Sequence, residues 1–289
     1  MKLLTEIPLR RSRVTLTRDS RVMTIGSCFS DNMAAHLRDA DFCMMSNPFG
    51  TLYNPESIAS AIERLDSGRP FTESDCAEMG AGAGLVCSFE HHTSFARKTP
   101  EEFLDHANSS LERSRSFWKD CDRVIVTYGT ARVWRRNGRT VSNCLKRPAA
   151  EFTHELLTLE RIAELSGRLV LDHPDKQFIF TVSPIRHLSQ GAEANTLSKA
   201  LLHLGISRAA ESPSADYFPA WALMMDELRD YRFYAADLVH PSEVAVDYLW
   251  EKFLAFCVPA SELDAVRAAE RAARRSRHRP LGPGDQAPR

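Results

Sequence analysis

The chain has 289 residues, of which 43% are hydrophobic and 26% charged, and 37 lysines and arginines stand against 38 aspartates and glutamates. Such values fit one large α/β domain or two small ones and exclude wholesale disorder and a mini-protein held by staples. The near-zero net charge disfavours a protein that coats nucleic acid, and no stretch is apolar enough to suggest a membrane span.

From Met1 to Arg13 the chain meets Glu6, Arg10, Arg11 and Arg13 before any apolar run develops, so a secretory leader is not expected. Seven cysteines without a Cys-x-x-Cys pair are expected to be reduced thiols in a cytoplasmic protein, and the sequon at Asn108 carries no glycan on that reading. Arg21 to Ile25 is the first expected strand and Phe29 to Ala40 the helix after it. Asp41 to Ser46 reads as a second strand, followed by the Asn47-Pro-Phe-Gly50 loop and a helix from about Pro55 to Leu65. Arg123 to Tyr128 and Gln177 to Val182 are β-branched and aromatic runs, each preceded by a helical pattern. The repetition predicts a parallel sheet between two helical layers.

Two segments break the alternation. Gly84 to Phe95, with His91 and His92 on an expected hairpin, and Ala131 to Ser142, with Asn137-Gly138 at its middle, read as insertions on the loop side of the sheet. Glu243 to Cys257 is an expected helix packing Val244, Tyr248, Trp250 and Phe253 on the sheet. Residues 1–260 are read as one domain. Beyond it, Ser261 to Arg279 reads as an Ala/Arg/Glu helix and Pro280 to Arg289 as a disordered tail. The arginines at 267, 271, 274, 275, 277 and 279 suit a solvated helix better than an RNA or acidic-partner surface.

Gly26-Ser27-Cys28-Phe29-Ser30 closes a strand and opens a helix, which places Ser27 at the carboxyl edge of the sheet beside helix N-terminal N–H groups. Ser27 is either a helix N-cap or a nucleophile with oxyanion donors at hand. Far downstream, Asp237 and His240 stand three residues apart before the last core helix, so the carboxylate can hold imidazole Nδ1–H while Nε2 faces outward. A turn with an N-cap, supplied by Pro241 and Ser242, is the other reading of that segment.

Gly26-Ser-Cys-Phe-Ser30, Asn47-Pro-Phe-Gly-Thr-Leu-Tyr-Asn-Pro55, Tyr128-Gly-Thr-Ala131, Ser183-Pro-Ile-Arg-His-Leu188, Asn195-Thr-Leu-Ser-Lys-Ala200 and the stretch from Tyr217-Phe-Pro219 to His240-Pro-Ser242 together resemble the GSCFA-domain family, over roughly Met23 to Phe256. That family is similar to the SGNH, or GDSL-like, hydrolases. The resemblance implies a three-layer flavodoxin-like fold and an esterase-type site. On it, Ser27 matches the nucleophile, Asp237 and His240 the Asp-x-x-His, and Ser27 and Gly50 the oxyanion donors. SGNH enzymes carry Gly-x-Asn in their third block, whereas this chain reads Gly129-Thr130-Ala131; Asn143 is the expected substitute, although Leu145 stands where GSCFA proteins tend to have histidine. Ser30 likewise replaces the alanine of the family name.

Thr130 and His187, on loops at the same sheet edge, are expected to touch substrate. The adjacent His91 and His92 would point to opposite faces and do not suggest a shared metal, and Gly80, Gly82 and Gly84 lack the Lys-Ser/Thr of a P-loop. Cys28, one step into the helix, is a weaker nucleophile candidate than Ser27. The expected function is cleavage or transfer of an ester, an O-acyl group on a carbohydrate in particular, with no metal or organic cofactor. A noncatalytic interaction protein using the basic C-terminal helix is the competing expectation.

Overall fold

The computed structural model describes residues 5–277. Strand β1 (Arg21–Gly26) leads into helix α1 (Cys28–Asp39), strand β2 (Cys43–Ser46) and helix α2 (Pro55–Ser67). Short strands β3 (Ala77–Glu78) and β4 (Val86–Cys87) precede helix α3 (Pro100–Asp120) and strand β5 (Arg123–Tyr128). Strands β6 (Arg132–Arg136), β7 (Arg139–Val141) and β8 (Thr153–Leu156) come next, followed by helix α4 (Leu159–Leu171), strand β9 (Gln177–Val182) and helix α5 (Ala192–Ser207). Strand β10 (Ala215–Phe218) is followed by a single turn α6 (Ala220–Ala222), a π-type turn over Leu223–Glu227, and helices α7 (Glu243–Cys257) and α8 (Ala260–Arg277).

The main sheet runs in the order β10-β9-β5-β1-β2, and every neighbouring pair is parallel. From β1 the chain steps outward to β2, then returns to the other side of β1 for β5, β9 and β10. Strand order therefore reverses between β1 and β5, the flavodoxin-like arrangement in which the loops after those two strands part and leave a crevice.

Side chains alternate along each central strand, and the two faces have separate cores. Met23, Ile25, Val124, Val126, Phe178 and Phe180 pack with Ile58, Phe103, Leu111, Ile162 and Leu202 of α2 to α5. Val22, Ile125, Ile179 and Phe218 face the other way, onto Phe29 and Leu37 of α1 and Leu249, Trp250 and Phe253 of α7. This gives the three layers that the alternation of apolar runs predicts.

Several boundaries moved, each for a local reason. Asp41 takes a left-handed φ of +63°, so β2 starts at Cys43 rather than at 41. Asn137 and Gly138 both have positive φ, as a two-residue hairpin turn requires, and β6 and β7 flank them. Strand β8 adds to β6 from the other side, making a three-stranded antiparallel insertion. The other insertion is not a hairpin at His91 and His92: its two-residue ladder joins β3 to β4, and both histidines lie beyond it. Of the residues expected to pack α7 on the sheet, Trp250 and Phe253 do, whereas Val244 is 65% exposed and Tyr248 bonds Glu227 instead. Val244 lies in the first turn, off the stripe that Ala245, Leu249 and Phe253 draw down the helix.

Helix α8 is not simply solvated. Val266 is buried among the α1 and α7 side chains, and buried Glu270 accepts from the Trp250 indole N–H at 2.6 Å. Arg267 pairs with Glu270, and Arg277 with Asp39 of α1. Arg279 and the tail expected over 280–289 lie outside the described residues.

Candidate active site

The turn between β1 and α1 is shaped by Gly26. At φ +146° a Cβ there would stand 2.1 Å from the Thr127 carbonyl oxygen, so only glycine lets β1 and β5 approach at this level. The next residue, Ser27, is the N-cap of α1 by backbone geometry, yet its side chain makes no capping hydrogen bond. Its Oγ is buried and has no partner among the described residues. The hydroxyls of Thr24, Ser30 and Thr127 share that condition, but Thr24 and Thr127 lie within strands and Ser30 within α1, whereas Ser27 stands in the turn between β1 and α1. Ordinary N-cap serines commit their oxygen to the second or third amide of the helix. Ser27 does not.

Asn47 braces this turn from the loop after β2. Its Oδ1 accepts from Gly26 N at 2.9 Å, and its Nδ2 donates to Asp31 Oδ1 at 2.6 Å. Gly50, at φ +81°, closes the same loop beneath His92, whose Cβ would be 2.4 Å from a side chain there.

Asp237 and His240 form a tight local pair. Asp237 Oδ1 accepts from the backbone N–H groups of Val239 and His240 at 2.9 and 3.0 Å, and Oδ2 accepts from His240 Nδ1 at 2.6 Å. Those two N–H groups, and then the imidazole, hold the Asp237 carboxyl down at about 2. The pair is therefore both a turn and an oriented imidazole with Nε2 left over. Arg186 N donates to Val239 O at 3.2 Å, which ties the pair to the loop after β9. No hydrogen bond joins His240 to Ser27 in this state.

His187 shares with Ser27 the space over Gly129. A Cβ placed on Gly129 would lie 3.3 Å from Ser27 Cβ, 3.1 Å from His187 Nε2 and 3.2 Å from Tyr53 O, so all three meet over the bare Cα of Gly129. His187 Nε2 is buried without a partner. Burial, helped by the nearby charges of Lys199 and His240, pushes its pKa to about 3, so it is a neutral imidazole at physiological pH. Its backbone N–H is pinned by Asn195 Oδ1 at 2.9 Å and its ring meets Tyr53 edge-on at 5.8 Å.

Lys199 carries no sequence-based role, yet it organises the edge. Buried and without a carboxylate partner among the described residues, it donates to Gly129 O at 2.7 Å and Ser183 O at 2.8 Å, linking the loops after β5 and β9. Its signal in the sequence is its place in the Asn195–Ala200 block, four residues after Asn195 and on the same helix face. Ser198, one residue earlier, accepts from Ala131 N at 2.7 Å and meets Thr130 Oγ1 at 3.0 Å.

The oxyanion residues are placed less simply. Ser27 N donates to Thr127 O at 3.2 Å and Gly50 N to Asn47 O at 2.8 Å, so both N–H groups are engaged. Asn143 Oδ1 accepts from Leu145 N at 2.7 Å, shaping its own loop. The amides of Cys28 and Phe29, in the first turn of α1, have no helical acceptor. Burial pushes the Cys28 thiol up, which disfavours its reactive thiolate.

Thr130 and His187 line one cavity of about 200 Å³. Tyr53, Arg132, Trp134 and His154 complete its aromatic and basic wall. Among the described residues no helix is long and apolar enough to cross a membrane.

A family model described as the GSCFA family matches residues 21–253. Among solved structures, the chain is similar to the crystal structure of LAE5, an alpha/beta hydrolase enzyme from the metagenome of Lake Arreo, Spain. That likeness has 11% identity and a TM-score of 0.46, over 83% of this chain and 95% of that one. No curated protein matches.

Proposed function

The chain belongs to the GSCFA family, and from that membership and the geometry of its sheet edge we propose a serine-dependent ester hydrolase or acyltransferase, acting on O-acyl groups of a carbohydrate. The observation that carries the reading is the Ser27 hydroxyl: held at a helix N-terminus beside the strand-order reversal, buried, and committed to no hydrogen bond.

In the proposed reaction Ser27 Oγ attacks the ester carbonyl carbon while its proton passes to His240 Nε2. Asp237 keeps the other imidazole nitrogen protonated and fixes the ring, as its 2.6 Å bond to Nδ1 equips it to do. The carbonyl π electrons move onto oxygen, and the tetrahedral adduct is stabilised by N–H groups at the start of α1. Gly50 joins them by exchanging Asn47 O for the oxyanion. Collapse breaks the carbonyl-carbon to alkoxy-oxygen bond, the proton on His240 leaves with the alcohol, and an acyl-Ser27 remains. Water or an acceptor hydroxyl then reverses these steps and restores Ser27. No bond links Ser27 Oγ to His240 beforehand; such bonds often form or tighten only with substrate.

A fluorophosphonate probe tests the proposal. Covalent mass on the peptide containing Ser27, absent in Ser27→Ala, is the expected result. A folded wild-type protein that neither labels at Ser27 nor cleaves acetylated sugars would favour the noncatalytic reading.

A further inference from the structure

Strand β6 carries three arginines that differ in their partners. Arg135 is bonded to Glu155 and paired with Glu56, and Arg136 is bonded to Glu151 at 3.0 Å. Arg132 has no carboxylate partner among the described residues, and its Nε is buried without any hydrogen bond. A buried guanidinium donor left unmade costs free energy that a native structure normally recovers, with protein, water or ligand. Arg132 lines the cavity that also holds His187 and Thr130.

Two residues along the strand, on the same face, Trp134 lines that cavity too. Its indole stacks on His154 of β8, the residue directly opposite, with ring centroids 4.1 Å apart, and it is 39% exposed. Gln190 bonds the His154 ring. The wall thus sets the half-exposed Trp134, stacked on His154 and met edge-to-face by Phe152 at 6.5 Å, beside an arginine without a carboxylate partner among the described residues, next to the unpartnered Nε2 of His187.

We propose that this cavity binds the part of the substrate that carries an anionic group, a carboxylate or phosphate pairing with Arg132 while a sugar ring lies on Trp134. The inference rests on the proposed ester chemistry at Ser27 and names its substrate class: an acidic carbohydrate rather than a neutral one. A planar guanidinium matches either anion with two parallel N–H bonds, which a lysine cannot do. The aromatic face supplies area for a sugar's apolar face at little entropic cost.

The test reads binding, not turnover, so it stands apart from whether Ser27 reacts. Saturation-transfer NMR titrations of D-glucuronate, D-glucose 6-phosphate and D-glucose are compared on wild-type, Arg132→Gln, Arg132→Lys and Trp134→Ala proteins whose thermal midpoints are also measured. The expected result is that one charged sugar binds about tenfold or more tighter than glucose, and which one it is separates carboxylate from phosphate. Arg132→Gln should abolish that preference, Arg132→Lys should keep part of it, and Trp134→Ala should weaken all three sugars. Equal affinities, no binding by any of the three, or a preference that survives in folded Arg132→Gln would each overturn the proposal.

Discussion

Lys199 Nζ lies 2.7 Å from the carbonyl oxygen of Gly129, the residue whose missing side chain leaves room between Ser27 and His187. Burial lowers its pKa from an ordinary 10.5 to about 7. A neutral amine has two N–H donors, and the carbonyls of Gly129 and Ser183 use both.

This gives a signed prediction. Between pH 7 and 10.5 the unfolded chain holds the lysine proton and the folded chain does not, so this group makes stability rise with pH across that window. Below pH 7 its burial penalty is fully present. Calorimetric Tm values should therefore climb less steeply above pH 7 in Lys199→Met than in wild type. At pH 9 the variant should be less stable by about 1–3 kcal/mol, because two carbonyls lose a donor. Parallel profiles for the two proteins would contradict it.

On the acid side, burial holds His91 and His187 at about 3 and His203 at about 4. Their ordinary value is 6.5, so the unfolded chain takes up protons that the folded chain refuses as pH falls from 6.5 toward 3. Stability present above pH 6.5 should be lost progressively over that range. His91→Gln should show a shallower decline, measured by urea midpoints at stepped pH.

Gly129→Ala probes the crowded point at Ser27. The new methyl would meet His187, Tyr53 and Ser27 at 3.1 to 3.3 Å, closer than comfortable packing. Labelling of Ser27 and ester turnover should fall about tenfold to a hundredfold, while stability falls by about 1 kcal/mol. Full reactivity in the variant would mean that the space over Gly129 is not used.

Asp237→Asn should lower ester turnover by about 10⁴-fold with the fold retained, since the amide favours the wrong imidazole tautomer. Cys28→Ala should retain turnover. Loss in the cysteine variant together with a reactive Ser27→Ala protein would move the nucleophile one residue along.

Two truncations separate the ends of α8. Removing residues 274–289 deletes Arg277 and its pairing with Asp39 but keeps Val266 and Glu270, so fold and ester cleavage should survive. Removing everything after 259 strips the Trp250 indole of its Glu270 partner and uncovers the Val266 site. That protein should lose about 2–5 kcal/mol in chemical unfolding.

The parallel layers and the position of Ser27 were legible because strand runs such as Arg123 to Tyr128 and the glycine before Ser27 act locally. Strand β10 was harder to see: Ala215-Asp-Tyr-Phe218 is short, and its buried Asp216 is paired by Arg10, the Arg13 amide and Ser12, all more than two hundred residues away. Lys199 and Asn195 were visible as motif residues, but their work depends on carbonyls and amides of other loops, which no side-chain pattern records. The engaged amides of Ser27 and Gly50 were illegible for the same reason: a backbone N–H has no letter in the sequence.

The N-terminal segment has a bearing on biosynthesis. Ser12 N donates to Phe256 O, Leu16 N to Cys257 O, and the Arg11 guanidinium to Val258 O, a partner 247 residues later. The seam these bonds close must wait until residues 256–258 have left the ribosome. Until then the apolar side chains at Val14 and Leu16, both fully covered in the finished protein, have nothing from α7 to rest on. Val14 and Leu16 therefore stay uncovered on that side until the α7 segment has been made, so this corner of the core closes late in folding.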